Sequence, residues 1–148
     1  DDGRELAPGE IGEVYSWLTA GNLNFTYHGL PEQRAAIERD GVVSIGDVGY
    51  LDEEGYLFLC DRKRDMVISG GVNIYPAEIE AALLALSGVR DCAVFGIPHE
   101  EFGEELCAYV EAEPGAALDE GLVRAHLSER LADFKVPRVI RFVEEATR

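Results

Sequence analysis

The sequence has no apolar stretch that approaches the roughly 20 residues needed to cross a membrane as a helix. Its start also lacks the charged region and the apolar region of a secretory signal peptide. The first residue is Asp1 rather than Met, and Asp1-Asp2-Gly3 is typical of a turn in mid-chain. We therefore expect a piece of a longer, cytoplasmic protein that has no transmembrane segment.

Cysteine and histidine are scarce, with three of each. Cys60, Cys92 and Cys107 lie in apolar runs, are odd in number and show no metal-ligand spacing. This pattern favours small buried side chains in a reducing compartment over a metal ligand or a nucleophile. The three histidines are scattered and form no pair typical of zinc. The sequence therefore predicts no metal site.

Recognisable catalytic sets are missing as well. There is no Ser/His/Asp set, no Cys/His pair and no paired-carboxylate motif. Ser69-Gly70-Gly71 is not a Walker loop, because no Gly-Lys-Ser/Thr follows it. Two adjacent glycines do allow another chain or a thin ligand to come close to the backbone. No catalytic side chain therefore stands out from the residues alone.

Positive charge is also limited, with 13 Lys and Arg against 29 Asp and Glu and a net charge of -16. A surface of that sign repels phosphate, which argues against nucleic acid as a partner and against anionic lipid. Three of the positive residues, Arg62, Lys63 and Arg64, are consecutive, and we call them the basic cluster. They either contact a bound anion or form a solvated turn with surface ion pairs.

The chain of 148 residues, 47% of them hydrophobic, is long enough for one average domain or two small ones. The residue pattern changes at the basic cluster. Residues 1–61 read as the end of a β-rich unit, and residues 62–148 as a small mixed α/β domain, so the fold class is α+β. Because no Gly/Ser linker separates the parts, the short charged segment is expected to act as a hinge.

Each part has its own predicted elements. In the first part, alternation and turn residues predict strands over 9–18, 42–50 and 56–60, a helix over 30–37, an irregular stretch over 20–27 and a hairpin turn at 52–55. In the second part we predict strands over 66–68, 89–97, 106–112 and 139–143 and a polar loop over 98–105. We also predict helices that begin at Pro76 and after the N-cap Asp119, each with apolar residues spaced along one face.

One carboxylate, that of Asp47, and one cation, that of Arg62, suggest a nucleotide contact. Asp47 follows Gly46 at a predicted strand end, where a carboxylate can accept hydrogen bonds from the two hydroxyls of a ribose. Arg62 follows the next strand, and a hairpin can bring it back near Asp47, so that one nucleoside touches both. The alternative is that Asp47 closes a turn and that the pair is an ordinary surface ion pair.

Phe102, in the predicted polar loop, also has two interpretations. An exposed aromatic ring could stack on a nucleotide base. The same ring could equally cover the hydrophobic core. The residues themselves therefore predict a two-part protein with a nucleotide contact at its junction.

Several motifs occur together in a fixed order and at consistent spacing: Gly9–Glu13, Gly46-Asp47, Asp52–Tyr56, Asp61–Pro76 and Glu78–Glu80. Over essentially the whole chain, they resemble the C-terminal portion of the adenylate-forming superfamily. Its members are acyl-CoA synthetases, aryl-CoA ligases, peptide-synthetase adenylation domains and firefly-type luciferases. Residues 68–76 are more similar to the acyl-CoA synthetase branch.

The resemblance implies roles at the junction. Asp47 would hold the ribose hydroxyls of ATP and of the acyl-adenylate, and Arg62 would contact the same ribose. Arg64 would lie at the hinge about which a C-terminal lid domain, residues 62–148, rotates between two half-reactions. Many relatives have Asp or Lys at that position, so Arg64 departs from them in residue type.

Further roles concern CoA. Gly71, together with Gly70, would line the tunnel through which pantetheine reaches the acyl-adenylate. Phe102 matches a position where some relatives place an aromatic ring against the adenine of CoA. Lys135 is assigned to a CoA phosphate.

The implied reaction uses a carboxylic acid, ATP and Mg2+ to form acyl-AMP, and then transfers the acyl group to CoA. The full-length protein would be an ATP-dependent acyl-CoA synthetase in which these residues partner its own N-terminal domain. The sequence ends before the expected terminal Gly-Lys motif, so we expect these 148 residues alone to be inactive. A non-catalytic nucleotide- or protein-binding relative, a luciferase-like enzyme and a carrier-protein-loading adenylation domain remain as alternatives.

Overall fold

A computed structural model of the chain describes residues 3–17, 25 and 27–144. It divides into two compact units, Asp1–Arg64 and Asp65–Arg148. The division falls inside a short 3-10 turn at Lys63–Asp65. The domain boundary predicted from the sequence, after residue 61, lies slightly earlier in the chain.

The first unit, in its described residues, is built from short antiparallel strands in two three-stranded sheets. One sheet has the order β1-β5-β6 and the other β2-β4-β3. A single helical stretch, α1, precedes β3, and a proline begins it, as the sequence predicts. The elements are β1 Gly12–Glu13, β2 Ser16–Trp17, α1 Pro31–Ala36, β3 Glu38–Arg39, β4 Val42–Val43, β5 Asp47–Leu51 and β6 Leu57–Arg62.

The hairpin of β5 and β6 is the best-defined part of this unit. Asp52 closes its turn, since its Oδ1 accepts hydrogen bonds from the backbone N–H groups of Glu54 and Tyr56 at 3.0 and 2.8 Å. Gly55 has a φ of 85°, which favours glycine. The predicted turn at 52–55 is confirmed.

Two predicted strands of the first unit are wrong in extent. The strand over 42–50 is interrupted between Val43 and Asp47, because Gly46 takes a φ of 82°, outside the range of a strand. Asp47 consequently begins a strand instead of ending one. The strand over 9–18 is reduced to β1 and β2, and residue 18 lies outside the described residues. The irregular stretch over 20–27 and the turn at 1–3 also lie largely outside them.

The second unit is a mixed sheet with two helices. The strand β10 pairs antiparallel with β9 and parallel with β11, and the β7–β8 hairpin joins β10 where Gly103 pairs with Ser69. The helix α3 connects the parallel strands, as a crossover requires. The elements are β7 Val67–Ser69, β8 Val72–Ile74, α2 Pro76–Leu84, β9 Val89–His99, β10 Gly103–Ala112, α3 Glu120–Ser128, a 3-10 turn at Asp133–Lys135 and β11 Val139–Val143.

The core of this unit lies between the helices and the sheet. Ile79 and Leu83 of α2 and Val123 and Leu127 of α3 are completely buried. Burying each such side chain stabilises the fold by roughly 1.5–3 kcal/mol. Asp119 caps α3, since its Oδ1 accepts the N–H of Leu122 at 2.8 Å. The predicted helix faces and the predicted cap are confirmed.

The predicted polar loop over 98–105 is wrong. β9 continues to His99 and β10 begins at Gly103, so only residues 100–102, here called the hairpin tip, connect them. The charged residues of β10 suggested a loop, but one of them has a partner in the sheet: Glu104 accepts the backbone N–H of Ile68 at 2.9 Å. Phe102 is consequently half-buried and does not lie in an exposed loop.

The predicted α+β fold class is confirmed by this combination of sheets and few helices in the described residues. Among the helices that the structure describes, none is both long and apolar enough to cross a membrane.

Candidate functional site

Asp47 and Arg62 face each other across the β5–β6 hairpin. They are directly paired in the strand register, and Arg62 Nε lies 3.0 Å from Asp47 Oδ1. The Asp47 side chain is 19% exposed and that of Arg62 is 52% exposed, so both reach the surface. Arg62 Nη1 also donates to the carbonyl of Ile45 at 3.2 Å. The hairpin therefore brings the two residues together, as predicted.

The segment before Asp47 is held in place by local hydrogen bonds. Ser44 Oγ accepts the N–H of Gly46 at 3.1 Å, and the Gly46 carbonyl accepts the N–H of Lys63 at 2.8 Å. The Asp47 carbonyl accepts the N–H of Val14 at 2.8 Å. These bonds fix the backbone on both sides of the predicted ribose ligand.

Glu13 is the centre of a network that the sequence did not reveal. Its Oε1 accepts the hydroxyl of Ser44 at 2.7 Å, and its Oε2 accepts Lys63 Nζ at 2.6 Å and the Tyr15 hydroxyl at 3.0 Å. We call these four residues the Glu13 network. Glu13 belongs to the first recognised motif, but nothing local indicates partners 31 and 50 residues away.

The network shifts the ionisation of its members. Burial acts to raise the pKa of Glu13, but the hydrogen bonds from Lys63, Ser44 and Tyr15 and the charge of Lys63 outweigh it, so this pKa lies below its ordinary value. The hydrogen bond to Glu13 raises the pKa of Lys63. Burial, followed by the bond to Glu13, raises the pKa of Tyr15. Glu13 is therefore held as a carboxylate.

An open cleft of about 680 Å³ lies beside this network. Its cationic lining residues are Arg39 and the basic cluster, against a single carboxylate, that of Glu13. Each of Arg39, Arg62 and Lys63 already pairs with a carboxylate, so an anion that enters the cleft competes with these ion pairs. Arg62 and Lys63 therefore have the predicted surface ion pairs, whereas the contact of the basic cluster with a bound anion stays a prediction.

The glycine turn, Gly70-Gly71, connects β7 and β8. Both residues have positive φ, 57° and 81°, as a two-residue hairpin turn of type I′ requires. A Cβ atom at Gly71 would meet no atom of the described chain within 4 Å. At Gly70 it would lie 3.5 Å from the ring of Phe102. The turn therefore presents bare backbone on its open side.

Phe102 packs beside the glycine turn, and its carbonyl accepts the N–H of Gly70 at 3.0 Å. The His99 ring stacks on it, with centroids 4.7 Å apart and planes 26° apart. The guanidinium carbon of Arg138 lies over the ring, 4.3 Å from its centroid. Arg138 was not predicted, because no local pattern brings it to Phe102.

Lys135 lies on the 3-10 turn before β11. Its Nζ is 2.5 Å from Glu78 Oε2 and 5.8 Å from the ring centroid of Phe134, which is 53% exposed. The predicted phosphate ligand therefore already has a carboxylate partner. The structure gives Lys135 the position of a surface cation beside an aromatic ring.

The three cysteines are fully or partly buried. Cys92 and Cys107 are buried and Cys60 is half-buried, and none of the three forms a disulfide. Burial raises the pKa of the Cys107 thiol, which lowers its reactivity. Within the part of the chain that the structure describes, no group of three or more His, Cys, Asp or Glu residues is arranged to hold a metal ion.

Known proteins are similar to the chain in sequence and in fold. Residues 78–148 match the family model of the AMP-binding enzyme C-terminal domain. A methyl-dioxo-octahydro-indenyl propanoyl:CoA ligase of Rhodococcus jostii is 48% identical over 147 residues, which are 99% of this chain and 28% of that protein.

Two solved structures are also similar. ATP-bound MatB from Rhodopseudomonas palustris has a TM-score of 0.89 and 40% identity, covering 100% of this chain and 29% of that one. O-succinylbenzoate coenzyme A synthetase (MenE) from Bacillus subtilis, in complex with ATP and a magnesium ion, has a TM-score of 0.88 and 33% identity, covering 100% and 30%.

These matches make the chain similar over its whole length to part of the adenylate-forming class of enzymes. Within that class, residues 78–148 carry the AMP-binding enzyme C-terminal domain, and the predicted resemblance is confirmed. The chain spans less than a third of the length of the relatives it matches.

Proposed function

We propose that the chain is the C-terminal part of an acid–thiol ligase, which forms acyl-AMP from a carboxylic acid and ATP and then transfers the acyl group to CoA. The observation that carries the proposal is the Asp47–Arg62 pair, because it brings an acceptor and a donor for one ribose together at 3.0 Å. The similarity of 99% of the chain to a CoA ligase supports the same reaction class.

In the first half-reaction, Asp47 accepts hydrogen bonds from the ribose hydroxyls of ATP and then of the acyl-adenylate. Arg62 donates to the same ribose, and the basic cluster supplies positive charge near the nucleotide. Mg2+ neutralises the ATP phosphates when it is bound. We assign it no ligand here, because no cluster able to hold a metal occurs among the described residues.

In the second half-reaction, the glycine turn lines the path of the pantetheine thiol. The bare backbone at Gly71, with no atom within 4 Å of an added Cβ in the described chain, supports this role. Phe102 lies at the same turn and is assigned to the adenine of CoA, and Lys135 to a CoA phosphate. Arg138, over the Phe102 ring, adds a positive charge that suits an anionic ligand.

We assign Arg64 to the hinge between the residues that end the N-terminal domain and the mobile C-terminal domain. Arg64 is exposed, and the chain divides into its compact units directly after it. A charged, exposed side chain suits a position whose backbone angles change.

The first unit packs against the rest of the N-terminal domain of the same protein. Three consecutive apolar residues of β6, Leu57, Phe58 and Leu59, are 47%, 46% and 62% exposed. Since neighbouring side chains of a strand point to opposite faces, both faces of β6 are uncovered in this unit. Exposed apolar surface of this kind favours contact with further protein.

The experiment uses the full-length protein and a panel of fatty, aryl and short-chain carboxylic acids. AMP release is measured with and without CoA, and with a carrier protein in place of CoA. We expect one class of acid to give AMP release that depends on CoA. Dependence on the carrier protein alone would support a carrier-loading enzyme, and no release with any acid would support a non-catalytic relative.

The 148-residue chain is the matched control. The resemblance assigns the terminal lysine, the phosphate-binding loop and the acyl pocket to residues outside it. We therefore expect no ATP–pyrophosphate exchange from the purified chain. Exchange at a rate near that of the full-length enzyme would contradict the proposal.

A further inference from the structure

His99, the last residue of β9, organises the hairpin tip. Its Nδ1 accepts the backbone N–H of Glu101 at 3.2 Å and that of Phe102 at 3.3 Å. Its ring also stacks on Phe102. A ring nitrogen that accepts two hydrogen bonds carries no proton, so this arrangement requires neutral imidazole with its proton on Nε2.

The hairpin tip in turn supports the glycine turn. The carbonyl of Phe102 accepts the N–H of Gly70 at 3.0 Å, and the next residue, Gly103, pairs with Ser69. The Phe102 ring lies beside Gly70, 3.5 Å from where a Cβ would be. His99 therefore fixes the backbone and the ring of the residue against which the turn rests.

We propose that His99 is a positioning residue for the acyl transfer to CoA. It acts through the backbone of Phe102 on the glycine turn, and it touches no reacting atom itself. The inference rests on the proposed function, because it assumes that the thiol passes along this turn. A displacement of about 1 Å at such a path can lower the rate about 100-fold.

The charges around His99 come from several elements. Glu105 of β10 places Oε2 3.9 Å from His99 Nε2, and Glu100 and Glu101 belong to the hairpin tip. Arg138, just before β11, contacts the ring of Phe102, on which His99 stacks. Protonation of the imidazole puts a hydrogen on Nδ1 and so removes both hydrogen bonds to the backbone.

The test compares two substitutions in the full-length enzyme. His99→Asn places an amide oxygen where Nδ1 accepts, but it loses the aromatic stack. His99→Phe keeps an aromatic ring but accepts no hydrogen bond. Acyl-AMP formation is measured by pyrophosphate release, and acyl transfer is measured separately from preformed acyl-AMP and CoA.

We expect acyl-AMP formation to stay within about twofold of wild type in both variants. Acyl transfer should fall about tenfold or more in H99F and remain within a few-fold of wild type in H99N. The wild-type rate of acyl transfer should also fall at acidic pH relative to that of H99N, whose amide does not protonate. If H99F does not fold, this pH comparison decides.

Unchanged acyl transfer in H99F would overturn the inference, as would an equal loss of both half-reactions or identical pH profiles of wild type and H99N. The variant Gly71→Leu distinguishes a wrong role of His99 from a wrong assignment of the thiol path in the proposed function. If G71L blocks acyl transfer while H99F does not, only the role of His99 is wrong. If G71L leaves acyl transfer intact, the path along the glycine turn is itself wrong.

Discussion

Lys135 and Glu78, 57 residues apart in the sequence, form an ion pair with 2.5 Å between Nζ and Oε2. The pair connects the first turn of α2 to the 3-10 turn before β11. Both side chains are partly exposed, and pairs of this kind contribute only about 0–1 kcal/mol. A CoA phosphate can therefore replace Glu78 as the partner of Lys135 at little cost.

This competition predicts opposite effects of two substitutions in the full-length enzyme. Glu78→Gln should lower the KM for CoA by about two- to fivefold, because Lys135 loses a competing carboxylate. Lys135→Met should raise that KM, and the double variant should behave like K135M. Steady-state kinetics with varied CoA provide the measurement. An E78Q variant with unchanged KM would remove Lys135 from the CoA site.

Gly71 predicts a separation of the two half-reactions. Gly71→Leu and Gly71→Ala both place an L-residue at a φ of 81°, so they share the backbone strain and differ in side-chain size. G71L should lower acyl transfer about 100-fold or more while acyl-AMP formation stays near wild type, and G71A should be affected far less. Equal losses in both half-reactions, or equal effects of Ala and Leu, would contradict the tunnel.

Asp47 predicts a defect in nucleotide binding. In the full-length protein, Asp47→Asn removes the charge that Arg62 contacts and that the proposed ribose contact requires. Hydrogen bonds to charged groups contribute about 1.5–3 kcal/mol, so the KM for ATP should rise about 10- to 100-fold. Glu53→Gln, an exposed change of the same charge in the turn of this hairpin, is the control and should leave the KM unchanged. Similar kinetics of D47N and E53Q would refute the ribose contact.

Glu13 predicts a pH-dependent loss of stability. Its pKa in the folded protein lies below 4.5, so its contribution is present above that value and is lost as the pH falls through the folded pKa. Glu13→Gln should destabilise the full-length protein by about 1–2 kcal/mol at pH 7, and the difference from wild type should shrink as the pH falls through the lowered pKa of Glu13. Thermal unfolding at several pH values measures this difference in stability between E13Q and wild type, with E53Q as the control. A constant difference across that range would show that the charge of Glu13 is not involved.

Sequence reasoning predicted the features that depend on nearby residues. The helices α2 and α3 follow from an apolar spacing and, for α3, from the cap Asp119. The approach of Arg62 to Asp47 follows from one hairpin whose turn residues are recognisable. In each case the determining contacts lie within about fifteen residues.

The missed features depend on contacts between distant segments or on polar residues within strands. Glu13 meets Ser44 and Lys63 across 31 and 50 residues, and a single sequence gives no sign of such a meeting. The hairpin tip was missed because Glu104 and its neighbour made a strand look like a loop, and one of them satisfies the backbone of β7. The roles of Asp47, Arg62, Arg64, the glycine turn, Phe102 and Lys135 stay predictions.

The double attachment of Lys63 has a mechanical consequence for the proposed hinge. Its backbone N–H bonds to Gly46 and its Nζ bonds to Glu13, so residue 63 is clamped to the first unit. For the proposed rotation, the dihedral angles expected to change are therefore those from Arg64 onward. A hinge whose preceding residue is held by two bonds has few free dihedral angles and should allow a small set of domain orientations, whereas a flexible linker would allow many.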